Sequence, residues 1–166
     1  MPALESGVLA PEINLSLLDG HKFSLKEALQ RSPVVAAFFK ISCPVCQFAL
    51  PYLERMFKAY GGSGKFTLAG ISQDTAADTK SFNREYGITF PTLLDEKAKY
   101  PASNAYGLTN VPTIFLISAD GEIEASIVGW SKPDMEQLNR KLAQLAGGTA
   151  AGLFAPGERV PEYKPG

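Results

Sequence analysis

Cys43 and Cys46 are the only cysteines in the chain, separated by Pro44 and Val45. Two thiols at this spacing suit either of two chemistries: cycling between dithiol and disulfide, or supplying half of a tetrahedral zinc site. The residues that follow favour the first. Phe48, Tyr52, Leu53, Met56, Phe57 and Tyr60 recur at intervals of three and four, which draws one apolar stripe along a helix ending near Tyr60 and puts both cysteines in its first turn. That turn carries unpaired N–H groups and a partial positive charge, so it favours an anion such as a thiolate. Pro44 suits the first helical position, where an N–H would be unpaired anyway and the ring already fixes a helical φ. Cys43 is therefore the candidate attacking thiolate. Cys46, one turn further on, is the thiol that would attack a mixed disulfide at Cys43 and release its other half.

The elements around the cysteines follow from pattern. Val34–Phe39 is apolar throughout, as expected of a strand covered on both faces inside a parallel sheet. Before it, Ile13, Leu15 and Leu17 alternate as in a strand that turns at Asp19-Gly20, and Ser24 with Glu27 forms a capping box for a brief helix. After the main helix come a strand over residues 66–71, a helix over 75–86 stopped by Gly87, and an extended segment over 90–95. A short helix is expected within residues 98–106. Val111-Pro112-Thr113 then leads into a strand over 114–117, Ala119-Asp120-Gly121 turns the chain, Ile123–Val128 returns it, and Lys132–Leu145 closes as a helix. Strands alternating with helices make this an α/β chain.

Length and composition bound the rest. With 166 residues and 45% hydrophobic content the chain supports one domain, here residues 1–146 with an N-terminal strand or hairpin extension, followed by a Gly/Pro-rich segment over 147–166 with no period. That segment reads as a tail outside the fold, with Leu153, Phe154 and Tyr163 as candidates for docking on the domain surface. A formal net charge of -1 and no long basic run exclude nucleic acid and an anionic membrane surface as natural partners. No apolar run reaches the roughly 18 residues of a membrane span, and Met1-Pro-Ala-Leu-Glu-Ser lacks the features of a signal peptide. The expectation is a cytoplasmic protein as written, or an extracytoplasmic one if a leader or anchor was removed.

With both halves laid out, the chain resembles the thioredoxin-like superfamily, in particular the TlpA-like and ResA-like thiol-disulfide oxidoreductases related to the AhpC/TSA group. The resemblance covers roughly residues 5–146 and rests on Gly7-Val8-Leu9-Ala10-Pro11, Cys43-Pro44-Val45-Cys46 after a buried strand, Phe90-Pro91 with Asp95, Tyr106-Gly107-Leu108, Val111-Pro112-Thr113, and Phe115-Leu116-Ile117 before Asp120-Gly121. It implies a three-layer α/β/α sandwich with a mixed central sheet and an N-terminal extension. It also implies a cis Pro112 facing the thiols, with Val111 offering backbone groups to an extended substrate. The implied partners are protein disulfides or dithiols and a thiol electron donor. No cofactor is called for, and a monomer is expected.

The departures from that pattern matter as much. Ser42 stands where the family usually has tryptophan, and Ala49 and Ala37 stand where its members carry a glutamate or an aspartate below the cysteines. With no base visible near Cys46, resolution of a mixed disulfide is expected to follow the titration of Cys46 itself. Lys40 would add positive potential near Cys43, and Trp130 is a candidate for a substrate rim or for packing. His21, the only histidine, follows a turn among polar residues and is expected on the surface. Residues 61–65, Gly-Gly-Ser-Gly-Lys, leave a helix and open a strand, the reverse of a phosphate-binding loop, and Ala59 and Phe66 occupy that motif's required positions. Two alternatives remain. A peroxiredoxin-like peroxidase would need Thr and Pro where Lys40 and Ala36 stand, and a zinc or scaffold module would need ligands from a second chain.

Overall fold

The computed structural model describes residues 3–166; Met1 and Pro2, the first two residues of the segment without signal features, lie outside the described residues. The chain runs β1 (Asn14–Leu17), β2 (Lys22–Ser24), α1 (Leu25–Leu29), β3 (Val34–Phe39), α2 (Pro44–Tyr60), β4 (Thr67–Ser72), α3 (Ala76–Tyr86), β5 (Thr92–Leu94) and α4 (Pro101–Ala105), then β6 (Thr113–Ile117), β7 (Ile123–Val128), β8 (Trp130–Ser131), α5 (Lys132–Leu145) and β9 (Tyr163–Lys164). Seven strands form one mixed sheet in the order β2-β1-β5-β4-β3-β6-β7. Strands β5, β4 and β3 are parallel, while β6 pairs antiparallel with β3 and β1 antiparallel with β5.

Alternation along β3 decides the layers. Val35, Ala37 and Phe39 face one core with α2, α3 and α5, through Leu50, Leu53, Phe82, Met135 and Leu142. Val34, Ala36 and Phe38 face a second core with α1, α4 and the N-terminal segment, through Ile13, Leu25, Ala102 and Tyr106. Every residue of β3 is buried, which is why its sequence shows no polar alternation. The result is the three-layer α/β/α sandwich with a mixed sheet that the resemblance implies.

Most elements start and stop where their capping residues sit. Ser24 accepts from the Glu27 N–H at the head of α1, and Thr75 from the Asp78 N–H at the head of α3, whose end is closed by Gly87 at φ 69°. The short helix is the exception. It begins only at Pro101, because Tyr100 adopts a left-handed φ of 45° and the buried Asp95 carboxylate caps α4 by accepting from the Ala102 and Ser103 N–H groups at 2.9 and 2.8 Å.

The segment from Gly147 corrects the reading of a tail outside the fold. It lies on the domain as a strap: Leu153 is buried against the α2–α5 core, and Tyr163–Lys164 pairs antiparallel with Trp130–Ser131. Leu153 and Phe154 dock as the sequence suggests, Phe154 against Tyr52 and Trp130, while Tyr163 stays exposed; the other contacts are polar bonds to groups on α2, β8 and α5, and these leave no periodic pattern in the strap's own sequence.

Candidate active site

Parallel strands β3 and β4 end in register, Phe39 opposite Ser72, so the loops that follow them meet at one edge of the sheet. The loop after β3 carries the cysteines. Cys43 caps α2 with extended backbone (φ −85°, ψ 116°), and Pro44 occupies the first turn. The Cys46 N–H donates to Cys43 Sγ at 3.3 Å, so an unpaired donor of the helix start points at that sulfur, as a thiolate would require. The Cys43 N–H in turn donates to the Lys40 carbonyl at 3.2 Å.

The two thiols, both free, differ in exposure: Cys43 is half-buried and Cys46 is fully buried. Burial pushes the Cys46 thiol far above its ordinary range, opposed by a backbone hydrogen bond at Lys40 and reinforced by Cys43 and by the negative charge of Asp74. Opposite Cys43 stands the loop before β6. The Val111–Pro112 bond is cis, and the Cys43 thiol donates to the Val111 carbonyl at 3.4 Å. Thus Cys43, Cys46, Pro44, Val111 and Pro112, far apart in sequence, gather at one place.

The remaining sequence candidates are distributed otherwise. Lys40 is exposed and reaches the motif through its backbone. Ala37 and Ala49 are both fully buried, so neither position supplies a proton acceptor. Trp130 is not a rim residue: it is fully buried, its ring packs edge-on to Phe48 at 4.8 Å, and its indole N–H donates to the Pro161 carbonyl of the strap at 2.7 Å. An indole needs a partner when buried, and here the strap provides it. His21 is 81% exposed and pairs with Asp19 at 3.0 Å in the β1–β2 turn at the far side of the sheet. Among the described residues no group of three or more His, Cys, Asp or Glu side chains is arranged to hold a metal.

Sequence reasoning missed Asp74. Its carboxylate accepts from the Ile41 N–H at 2.9 Å, while Gln47 Nε2 donates to the Ile41 carbonyl at 2.9 Å, so both main-chain groups of Ile41 are held two residues before Cys43. The expectation of no carboxylate near Cys46 is corrected accordingly: the charge comes from the loop after β4, not from the motif's own strand or helix. A signal for it existed, since the residue just past the end of a strand parallel to β3 must lie at the same sheet edge as the cysteines.

Comparison with known proteins agrees with this geometry. The pattern of the AhpC/TSA family matches residues 7–126. The chain is 30% identical over 142 residues to the thiol-disulfide oxidoreductase ResA of Bacillus anthracis, covering 86% of this chain and 79% of that protein. It is 29% identical over 136 residues to the thiol-disulfide oxidoreductase ResA of Geobacillus kaustophilus, covering 81% of this chain and 76% of that one. Among solved structures, the thioredoxin domain of a thiol-disulfide oxidoreductase from Bacteroides vulgatus superposes with a TM-score of 0.73 at 26% identity, covering 84% of this chain and 98% of that domain.

Proposed function

The chain belongs to the AhpC/TSA family, and from that premise we propose that it reduces or exchanges protein disulfides through a mixed disulfide on Cys43 that Cys46 resolves. The observation that carries this reading is the contrast between the thiols: a half-buried sulfur that accepts an N–H at a helix start, and a fully buried one a single turn behind it. In the reducing direction the Cys43 thiolate attacks one sulfur of a substrate disulfide. That S–S bond breaks, one substrate sulfur leaves as a thiolate and takes a proton from solvent, and a Cys43–substrate disulfide forms. Cys46 then gives up its proton and attacks Cys43 Sγ. The second substrate thiol departs, the protein keeps a Cys43–Cys46 disulfide, and a thiol donor returns the two electrons. Oxidation of a dithiol is the same sequence reversed. Pro44 presets the turn, and Val111 with Pro112 borders the space where the substrate sulfur must arrive. Lys40 contributes through its carbonyl, which fixes the Cys43 N–H.

No helix among the described residues is long and apolar enough to cross a membrane. On this reading the chain works as a monomer on protein disulfides or dithiols, with a thiol compound as electron donor.

Insulin reduction with a dithiol donor, run beside peroxide consumption, tests the reading. Cys43→Ser should abolish insulin reduction, and Cys46→Ser should accumulate mixed disulfides; capture by Cys43→Ser but not by Cys46→Ser would reverse the assignment. Faster turnover of peroxide than of insulin would favour the peroxidase instead. The resolving step adds a pH test. Because burial holds Cys46 protonated, its rate should rise with pH through the alkaline range. Asp74→Asn removes a negative charge that holds the Cys46 proton on, so the profile should move to lower pH. A slower resolving step in Asp74→Asn would instead make Asp74 the proton acceptor.

A further inference from the structure

The strap that begins at Gly147 can be followed to the thiols. Its first part is anchored far from them: the Ala151 N–H donates to the Tyr60 hydroxyl at 2.8 Å, Asn139 Nδ2 donates to the Ala151 carbonyl at 2.8 Å, and Arg55 grips Glu158 with two bonds of 2.8 and 2.9 Å. It then crosses Trp130, pairs as β9 with β8, and puts the Lys164 ammonium over the Phe48 ring at 5.6 Å.

The last four residues come onto the site itself. Gly129, at φ 73°, passes so close beneath them that a Cβ there would stand 2.5 Å from the Lys164 carbonyl oxygen. Gly166 lies against Val111: a Cβ on Gly166 would stand 2.3 Å from the Val111 carbonyl oxygen and 3.0 Å from Asn110 Cβ. Asn110 Nδ2 donates to the Gly166 carbonyl at 3.1 Å. The Val111 carbonyl is the same group to which the Cys43 thiol donates at 3.4 Å. Gly166 and the Cys43 sulfur therefore share one backbone neighbour.

The geometry of a disulfide turns this proximity into a filter. Two cysteines joined through sulfur have Cα atoms roughly 4.4–6.8 Å apart. A polypeptide bonded to Cys43 must thus bring its main chain, in both directions, into the space beside Asn110 and Val111, where Gly166 already stands. A small disulfide brings only a CH2–S group and a short substituent to the same sulfur.

We infer that residues 163–166 are a specificity element: seated, they leave Cys43 open to low-molecular-weight disulfides, and an extended polypeptide disulfide reacts only when the strap lifts from Asn110 and Val111. This rests on the oxidoreductase reading above. The design of the strap fits the role, because its apolar anchors, Leu153, Phe154 and Val160, all precede the part that must move. Lifting residues 163–166 exposes no buried side chain of their own.

The test uses the full chain and two substitutions confined to the strap. Gly166→Val drives its Cβ into the Val111 carbonyl, and Lys164→Pro removes an N–H from β9 and the cation over Phe48. For wild type and both variants, kcat/KM is measured with insulin and with 2-hydroxyethyl disulfide. Insulin turnover should rise about tenfold in both variants, the gain expected if the open form is about a tenth of the wild-type population, while turnover of the small disulfide stays unchanged. An insulin-to-small-disulfide ratio that is the same in all three proteins would overturn the filter and leave the oxidoreductase standing. Absence of turnover of either disulfide by wild type would sink the function, and the filter with it.

Discussion

The two ends of the chain both lie outside the parallel β3–β4–β5 unit, and they are attached by different means. The N-terminal segment is built into the second core: Ile13 and Leu15 are buried, β1 pairs with β5 and β2, and the Tyr106 hydroxyl donates to the Pro11 carbonyl at 2.6 Å. Among residues 147–166 only Leu153 is fully buried; Phe154 and Val160 pack half-buried beside it, and the rest hold on through polar bonds and a pair of two-residue strands. Apolar area removed from water makes an element part of the cooperative fold, whereas a net hydrogen bond contributes only about 0.5–1.5 kcal/mol and can be exchanged for water. The difference teaches that the first segment is scaffold and the second is a removable cover.

The largest effect that would sharpen this contrast is on global stability. Ile13→Ala leaves a cavity between β1 and the helices beneath it and should cost about 2–5 kcal/mol, read as a lower urea midpoint for the whole domain. Leu153→Ala should instead release the strap, with faster amide exchange at Lys132 and along β9 and a much smaller shift of the midpoint. Equal midpoint shifts for the two variants would erase the distinction between scaffold and cover.

The contrast also explains what could be foreseen. Strands β1 and β3, helices α2, α3 and α5 and the cysteine turn were legible because each carries its own period or cap: Ile13, Leu15 and Leu17 alternate, the stripe from Phe48 to Tyr60 recurs every three or four residues, and Thr75 and Gly87 bracket α3. Val111 and Pro112 were legible through a family pattern only, since nothing local in Asn110-Val111-Pro112 points to a sulfur 68 positions away. The strap left no such trace. Its partners Tyr60, Arg55, Trp130 and Asn110 are spread over α2, β8 and the loop before β6, and each bonds a main-chain group of the strap that any residue provides. Trp130 is packing, as its place in a strand-to-helix turn favours, but nothing local shows that the strap is what lies on top of it.

A smaller effect separates the strap's anchors from one another. Arg55→Met removes both bonds to Glu158, one to the Leu153 carbonyl and the guanidinium stacked over the Tyr52 ring. A surface ion pair of this kind is largely screened by water, so the global midpoint should barely move. Exchange should quicken in the strap at Glu158 and beyond, and less than in Leu153→Ala. Exchange spreading into β1 would contradict the independence of the two ends.

The smallest expected effect is one of pH, and Trp130 reports it because it is the chain's only tryptophan and donates to the strap. The Glu158 carboxyl is held at about 2, chiefly by the hydrogen bonds from Arg55 and then by the Ala155 N–H. A carboxyl whose value falls on docking favours the docked form wherever the free group is ionised, so the contribution is whole above the ordinary range near 4.5 and disappears as pH drops toward 2. Trp130 emission should therefore stay constant from pH 7 to about 5, then move to longer wavelength between about pH 4.5 and 2 as water reaches the indole. Far-UV circular dichroism followed in parallel separates this from acid unfolding, since the N-terminal scaffold does not depend on Glu158. In Arg55→Met the acid-dependent part of the emission change should shrink, because the Glu158 carboxyl then loses its main partner in the docked form. A Trp130 shift that coincides with loss of the circular dichroism signal at every pH, in wild type and variant alike, would mean that the strap leaves only when the whole domain unfolds.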